Sequence, residues 1–173
     1  MVSTLFLLLL QTVANPWTEF KDYEGKFRAL IPCATMEHKV QTIETALGKL
    51  NYHSFFCTPM ESDAENKVFL ISYVDYPEGV LHPDSTELRQ SLFSETINAS
   101  VESVKGTLVY QDDVKTKEVQ GKFWRIDYNK GNAVMKTRAF IVGNRFYIAQ
   151  VATIKARSRN LEADKFLESF RWF

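Results

Sequence analysis

The apolar residues of this chain come first in a block and only later in alternation. Leu5-Phe6-Leu7-Leu8-Leu9-Leu10 runs without a polar side chain, and Gln11-Thr12-Val13-Ala14 then leads to Asn15-Pro16. A helix that is apolar all round has no face to offer water. Thr12 and Ala14 stand where a signal peptidase reads the small residues before its cut, with a helix-breaking proline just beyond. The stretch from Val2 to Ala14 is shorter than the roughly 20 apolar residues a membrane span needs. No Lys or Arg precedes the run, which departs from the usual signal, and no Cys follows it to carry a lipid. Residues 1–14 are therefore read as a cleaved signal peptide and residues 15–173 as one mature domain, periplasmic or secreted, with no transmembrane span.

Beyond the block, alternation dominates. Trp17 and Phe20 flank a short polar stretch read as a single helical turn. Lys26 to Ile31 reads as a strand stopped by Pro32, and the polar stretch Glu37 to Thr45 suits an exposed edge strand. Gly48 marks a turn into a strand over 49–58, and Val68 to Pro77 is apolar on both faces at its start, as a strand covered on both sides would be. The pattern then changes period. Asp84-Ser85-Thr86-Glu87 reads as a capping box, and Leu88, Leu92, Ile97, Val101 and Val104 form one stripe of a helix over about 84–105, with Gly106 as its left-handed stop. Strands follow at about 107–116, 119–128, 132–143 and 145–156, the last two joined by a Gly143-Asn144 hairpin turn. A C-terminal helix over about 160–170 is capped at Asn160. Strands in hairpins, with helices outside them, predict an α+β domain on a mostly antiparallel sheet.

Charge adds an asymmetry. The chain has 21 basic and 21 acidic residues, so net charge gives no reason to expect nucleic acid. Yet residues 1–86 hold 6 basic and 11 acidic side chains, and residues 87–173 hold 15 and 10. Between Tyr128 and Leu161 stand Lys130, Lys136, Arg138, Arg145, Lys155, Arg157 and Arg159 with no carboxylate among them. The two cysteines, Cys33 and Cys57, suit a bridge in an exported chain. It would close a loop of about 25 residues, worth roughly 3–4 kcal/mol by loop entropy. Two unpaired thiols are the other reading.

Several segments together resemble a known family. They are Trp17…Phe20…Phe27-Arg28-Ala29-Leu30-Ile31-Pro32, the Gly48-Lys49-Leu50 turn and Tyr73-Val74-Asp75-Tyr76-Pro77. Val142-Gly143-Asn144-Arg145-Phe146-Tyr147 and Lys165-Phe166-Leu167-Glu168-Ser169-Phe170 complete the set. In this order they resemble the exported bacterial proteins of the PsbP-like fold, named for the extrinsic subunit of photosystem II and shared by the Ran-binding Mog family. The resemblance implies an α/β/α sandwich around a central antiparallel sheet and leaves function open. The photosystem role rests on N-terminal extensions that are not seen here. Where such proteins usually have a small residue after the first proline, this chain has Cys33, a departure that favours pairing with Cys57.

Candidate chemistry is sparse. The histidines His38, His53 and His82 fall on separate segments, and the sequence has no nucleophile elbow, zincin or nucleotide-binding motif. Cys33, Cys57, His38 and His53 offer zinc-type ligands at a spacing unlike any known pattern. The loop carboxylates Glu61, Asp63 and Glu65 lack the glycine and distal glutamate of a calcium loop. Asp112-Asp113 has no visible acid–base partner, and the Asn98-Ala99-Ser100 sequon falls inside the long helix. No catalytic, metal or cofactor set emerges. The one constellation that suggests a site is the hairpin about Gly143-Asn144. Its register puts Lys136, Arg138, Phe140, Arg145 and Tyr147 on one face and Met135, Ala139, Ile141, Phe146, Ile148 and Ala152 on the other. The first face suits an acidic partner, by Arg forks and ring stacking; alternatively it is solvated, or covered by a helix. The reading is an exported non-enzymatic binding or assembly-accessory module for an unknown protein or envelope component. The alternative is a small-ligand carrier or enzyme with a helix–sheet pocket lined by Tyr73, Tyr76, Trp124 and Tyr128.

Overall fold

The computed structural model describes residues 17–45, 47–60, 63–116 and 119–173. The signal peptide read over residues 1–14 lies outside them, as does Glu61. Strand β1 (Thr18–Asp22) opens the described chain where a helical turn is expected, because the Thr18 to Asp22 backbone pairs with β2 (Phe27–Ile31). The order then runs β3 (Glu37–Thr45), β4 (Gly48–Cys57), β5 (Asn66–Asp75), α1 (Thr86–Ser103), β6 (Thr107–Lys115), β7 (Gln120–Tyr128), β8 (Ala133–Val142), β9 (Arg145–Ile154), α2 (Leu161–Ser169) and β10 (Arg171–Trp172).

Seven strands form the large sheet in the order β3-β4-β5-β9-β8-β7-β6, every neighbouring pair antiparallel. Polar β3 is an edge strand, as its composition requires. A smaller sheet, β1-β2-β10, is separate. Each side of the large sheet has its own core. On one side Phe93 and Ile97 of α1 pack with Trp124, Ile126, Met135, Ala139, Ile141 and Phe146. On the other, α2 and the small sheet cover Phe55, Phe69, Ile71, Tyr73, Phe140 and Tyr147. Phe27 is wholly buried at the centre of this second core, with Phe20, Phe55, Tyr73, Tyr147 and Phe170 around it. The architecture is the α+β sandwich predicted, with the layer opposite α1 built jointly from a helix and a small sheet.

Local chemistry departs from the sequence reading at both ends of α1. The N-cap is Ser85 and makes no side-chain capping bond, so the expected 84–87 capping box is not formed. Asp84 instead gives its amide to His82 Nδ1 and holds its carboxylate beside that ring. At the far end the left-handed residue is Lys105, φ 49°, and not Gly106. Gly106 is needed for space, since a Cβ there would lie 2.5 Å from Ile126 Cγ2 and 2.9 Å from the Asp127 carbonyl oxygen. Leu88, placed on the buried stripe, is exposed, and Phe93 takes the central position. Helix α2 starts as expected: Asn160 Oδ1 accepts from the Ala163 amide at 2.7 Å. Cys33 and Cys57 form a disulfide with their Cα atoms 6.4 Å apart, tying the segment after β2 to the end of β4. Among the described residues no helix is long and apolar enough to cross a membrane.

Candidate binding surface

The β8–β9 hairpin turns at Gly143, φ 57°, and pairs Phe140 with Tyr147, Arg138 with Ala149 and Lys136 with Val151. Alternation therefore places Lys136, Arg138, Phe140, Arg145 and Tyr147 on one face, as predicted. That face is not open. Lys136, Phe140 and Tyr147 keep only 8%, 4% and 2% of their exposure, because α2 and the small sheet lie over them. The expectation of a continuous exposed contact face is corrected accordingly. Burying an aromatic strand face removes much apolar area from water, which favours α2 and the small sheet covering it.

Folding also neutralises the charge asymmetry. Lys136 Nζ reaches Asp164 at 3.2 Å, Arg138 lies 3.8 Å from Glu168, Arg145 2.6 Å from Asp75, Lys155 2.6 Å from Asp127 and Arg157 3.6 Å from Glu65. Five of the seven cations in the carboxylate-free stretch thus find carboxylates supplied by other elements. Arg145 is the most constrained. Its Nε and Nη2 meet Asp75 in a bidentate fork at 2.6 and 2.7 Å, and Nη1 donates to the Glu24 carbonyl at 2.9 Å. The guanidinium lies 4.4 Å from the Tyr73 ring centroid. Burial works against its charge, but Asp75 and the Tyr147 phenol together outweigh burial and hold the Arg145 pKa above its ordinary value. Burial likewise pushes the Tyr73 and Tyr147 phenols up, with the Glu24 and Asp22 carboxylates adding to the effect on Tyr73.

Stacked planar side chains continue from Tyr73 toward the sheet edge. His53 stacks on Tyr73 at 4.5 Å and brings Nδ1 within 3.1 Å of its hydroxyl, and His38 stacks on Phe55 at 4.2 Å. With both thiols consumed by the disulfide, the zinc-type set of Cys33, Cys57, His38 and His53 is not available. Among the described residues no group of three or more His, Cys, Asp or Glu is placed to hold a metal ion. Of the acidic loop, Glu65 serves structure: its carbonyl accepts from Thr153 and its carboxylate faces Arg157.

What remains open on the hairpin face lies on either side of the C-terminal segment. One groove, about 440 Å³, is lined by Arg138, Phe140, Glu168, Phe170, Arg171 and Trp172, with Val114 and Thr116 from the end of β6. Arg138 is held there by the Leu167 carbonyl at 3.4 Å and by the Phe123 ring at 5.9 Å. Phe140 contacts Phe170 and Trp172 with ring centroids 6.0 and 5.4 Å apart. The other groove, about 300 Å³, is lined by Lys26, Asp75, Asn144, Arg145, Tyr147 and Phe173, with Trp172 again at its border. Sequence reasoning missed Arg171, Trp172 and Asp75. The alternation Phe170-Arg171-Trp172 after Ser169 is a strand signal, though the strand it forms, Arg171–Trp172, is only two residues long.

A third groove, about 430 Å³, lies between α1 and the β3–β5 side of the large sheet. One helix is narrower than seven strands, and α1 packs over β7, β8 and β9, so that part of the sheet stays uncovered. Of the four aromatics expected to line a helix–sheet pocket, Tyr73 and Tyr76 border this groove, but the Tyr73 ring itself packs in the opposite core beside Phe27 and Tyr147. Trp124 is instead wholly buried under α1, and Tyr128 packs beside that core.

Two layers over a seven-stranded antiparallel sheet, one a helix and the other a helix with a small sheet, define the PsbP-like fold. The structure matches the solution structure of cyanobacterial PsbP (CyanoP) from Synechocystis sp. PCC 6803 with a TM-score of 0.60 at 10% identity, covering 98% of this chain and 99% of that one. At that identity the likeness is one of fold. No family model matches the sequence, and no curated protein matches it.

Proposed function

We propose that this chain is an exported binding or assembly-accessory module that holds an acidic segment of a protein or envelope component in the groove beside β10. The observation that carries the reading is the groove itself: two guanidinium groups, Arg138 and Arg171, border a cleft of about 440 Å³ lined by Phe140, Phe170 and Trp172, with Glu168 3.8 Å from Arg138. Such a surface recognises carboxylate by forked hydrogen bonds and the neighbouring chain by ring contact. Of the predicted contact residues, Arg138 and Phe140 line this cleft, and Arg145 and Tyr147 line the smaller groove across Trp172. Lys136 supports from beneath through Asp164. Export is supported by the Leu5–Leu10 run with Thr12-Val13-Ala14, and the disulfide suits an oxidising compartment. The PsbP-like fold suits an accessory role.

The test places a photo-crosslinking residue at Thr116, on the cleft, and at Tyr23, an exposed control position in the β1–β2 turn. The expected result is a discrete adduct from Thr116 only, fading as salt rises and lost on Arg171→Glu, whose side chain is exposed. Equal adduct patterns from both positions, or an adduct indifferent to Arg171→Glu, would overturn the reading. Mass spectrometry of the mature protein is expected to show an N-terminus at Asn15 or within a few residues; an intact Met1 would remove export from the proposal.

A further inference from the structure

The groove between α1 and the uncovered half of the large sheet is of a different chemical kind from the cleft beside β10. Its described lining carries no Asp, Glu, Lys or Arg. The sheet side supplies an apolar bed of Val74, Phe146 and Ile148, with Ser72 and Tyr52 beside it. Ser72 is wholly buried and its hydroxyl has no hydrogen-bond partner. The Tyr52 phenol lies near enough to Ser72 to feel it without forming a well-aligned bond, and burial, the larger effect, pushes its pKa up. Burial also raises Tyr76, with Glu95 adding to it. Both phenols therefore stay neutral and keep their protons as donors.

The helix side is the complement. Thr96 Oγ1 donates to the Leu92 carbonyl at 2.7 Å, Ser100 Oγ to the Thr96 carbonyl at 2.7 Å and Ser103 Oγ to the Ser100 carbonyl at 2.9 Å. A hydroxyl has one proton and two lone pairs. With those protons committed to the helix, these three side chains turn only acceptors toward the groove. Donors thus stand on the sheet wall and acceptors on the helix wall, over an apolar bed with no charged side chain in its lining, and Gln41 of β3 adds an amide that offers both.

We propose that this groove is a binding site for a small uncharged, flat molecule that carries a carbonyl acceptor on one edge and an N–H or O–H donor on the opposite edge. The carbonyl takes the orphaned Ser72 proton and the Tyr52 phenol, and the donor meets the lone pairs of Thr96 and Ser100. A volume of about 430 Å³ falls within the range that holds such ligands. The site shares no lining residue with the cleft beside β10, so either proposal stands or falls alone.

The experiment titrates the purified protein with 4-quinolone, a neutral flat ring with its C=O and N–H on opposite edges. N-methyl-4-quinolone, naphthalene and 2-naphthoate serve as analogues without the donor, without either group and with a charge. The expected order is 4-quinolone tightest, with each lost hydrogen bond weakening binding about fivefold. Ala99→Trp, at an exposed helix position lining the groove, should abolish binding with the fold intact by circular dichroism. Ser72→Ala should weaken 4-quinolone about fivefold without lowering the melting temperature, since it removes a buried hydroxyl that has no partner. A purely structural Ser72 would change the melting temperature and leave the ranking alone. No saturable binding of 4-quinolone, naphthalene or 2-naphthoate binding as well as it does, or undiminished binding by Ala99→Trp would overturn the proposal.

Discussion

Replacing Arg145 with methionine is the sharpest test of how the basic hairpin face is built. The substitution keeps most of the apolar stem and removes only the guanidinium. Besides a more distant approach to the Tyr147 ring at 5.8 Å, three contacts disappear. The charge-assisted bond to the Glu24 carbonyl is worth about 1.5 kcal/mol. The fork to Asp75 counts for less than its geometry suggests, because the Asp75 side chain is 56% exposed and screened by water; about 0.5–1 kcal/mol is a fair value. The cation over Tyr73 adds about 0.5–1 kcal/mol. Asp75 can turn to water, so no charge is stranded. The expected loss is about 3 kcal/mol, or about 6–12 °C in melting temperature for a domain of this size. Urea unfolding followed by circular dichroism measures it, with the slope against denaturant unchanged. Adding Asp75→Asn should cost less than it does alone, since the fork is already gone. An Arg145→Met loss within about 0.5 kcal/mol, the usual range for an exposed residue, would refute the account and return Arg145 to the solvated surface.

Reducing the Cys33–Cys57 bridge, or replacing both residues with serine, should cost about 3–4 kcal/mol from the loop of 24 positions it spans; peptide mapping without reductant should recover one linked pair. Gly25→Ala should destabilise by about 1–3 kcal/mol in thermal melts, because its Cβ would lie 2.6 Å from both Asp22 Oδ2 and Tyr73 Cε1. Burial raises the Asp127 carboxyl, but hydrogen bonds from Arg125 and Lys155 outweigh that and hold it below its ordinary value. Its contribution is therefore present above about pH 4 and lost as pH falls through the folded-state pKa, and Asp127→Asn should flatten that acid limb. Tyr73 and Tyr147 are shifted the opposite way, so their contribution is full below about pH 10 and lost above it; tyrosinate absorbance should appear for them only as the fold is lost.

Much of the fold was legible because its period was clean. Alternation located β3 to β9 within a residue or two, and Gly143-Asn144 set the register that put Arg138 and Tyr147 on one face. Alternation states which residues share a face; it does not state what covers that face. Here the cover is β1, β2, β10 and α2, and β10 is two residues long, too short to carry a period. The run of cations without carboxylates misled for a related reason. Asp164, Glu168 and Asp75 are distant in sequence and adjacent only after folding. The helix ends went astray because competing local bonds won: His82 took the Asp84 amide, and Lys105 accepted the left-handed turn so that Gly106 could fit against Ile126. Of the four aromatics read as a pocket lining, only Tyr76 turns its ring to a groove, whereas Ser72 looks in sequence like any small strand residue.

The pairing of β2 with β10 also sets the order in which the molecule can assemble. The Leu30 amide donates to Ser169 Oγ across 139 positions, and Trp172 pairs with Phe27. Loop closure over that length is slow, and contacts of high sequence separation form late. Until residues 161–172 have emerged, the large sheet can zip by its hairpins while Phe140 and Tyr147 lie bare on one side. The aromatic face is thus closed by segments far apart in the chain, β2 on one side and α2 with β10 on the other.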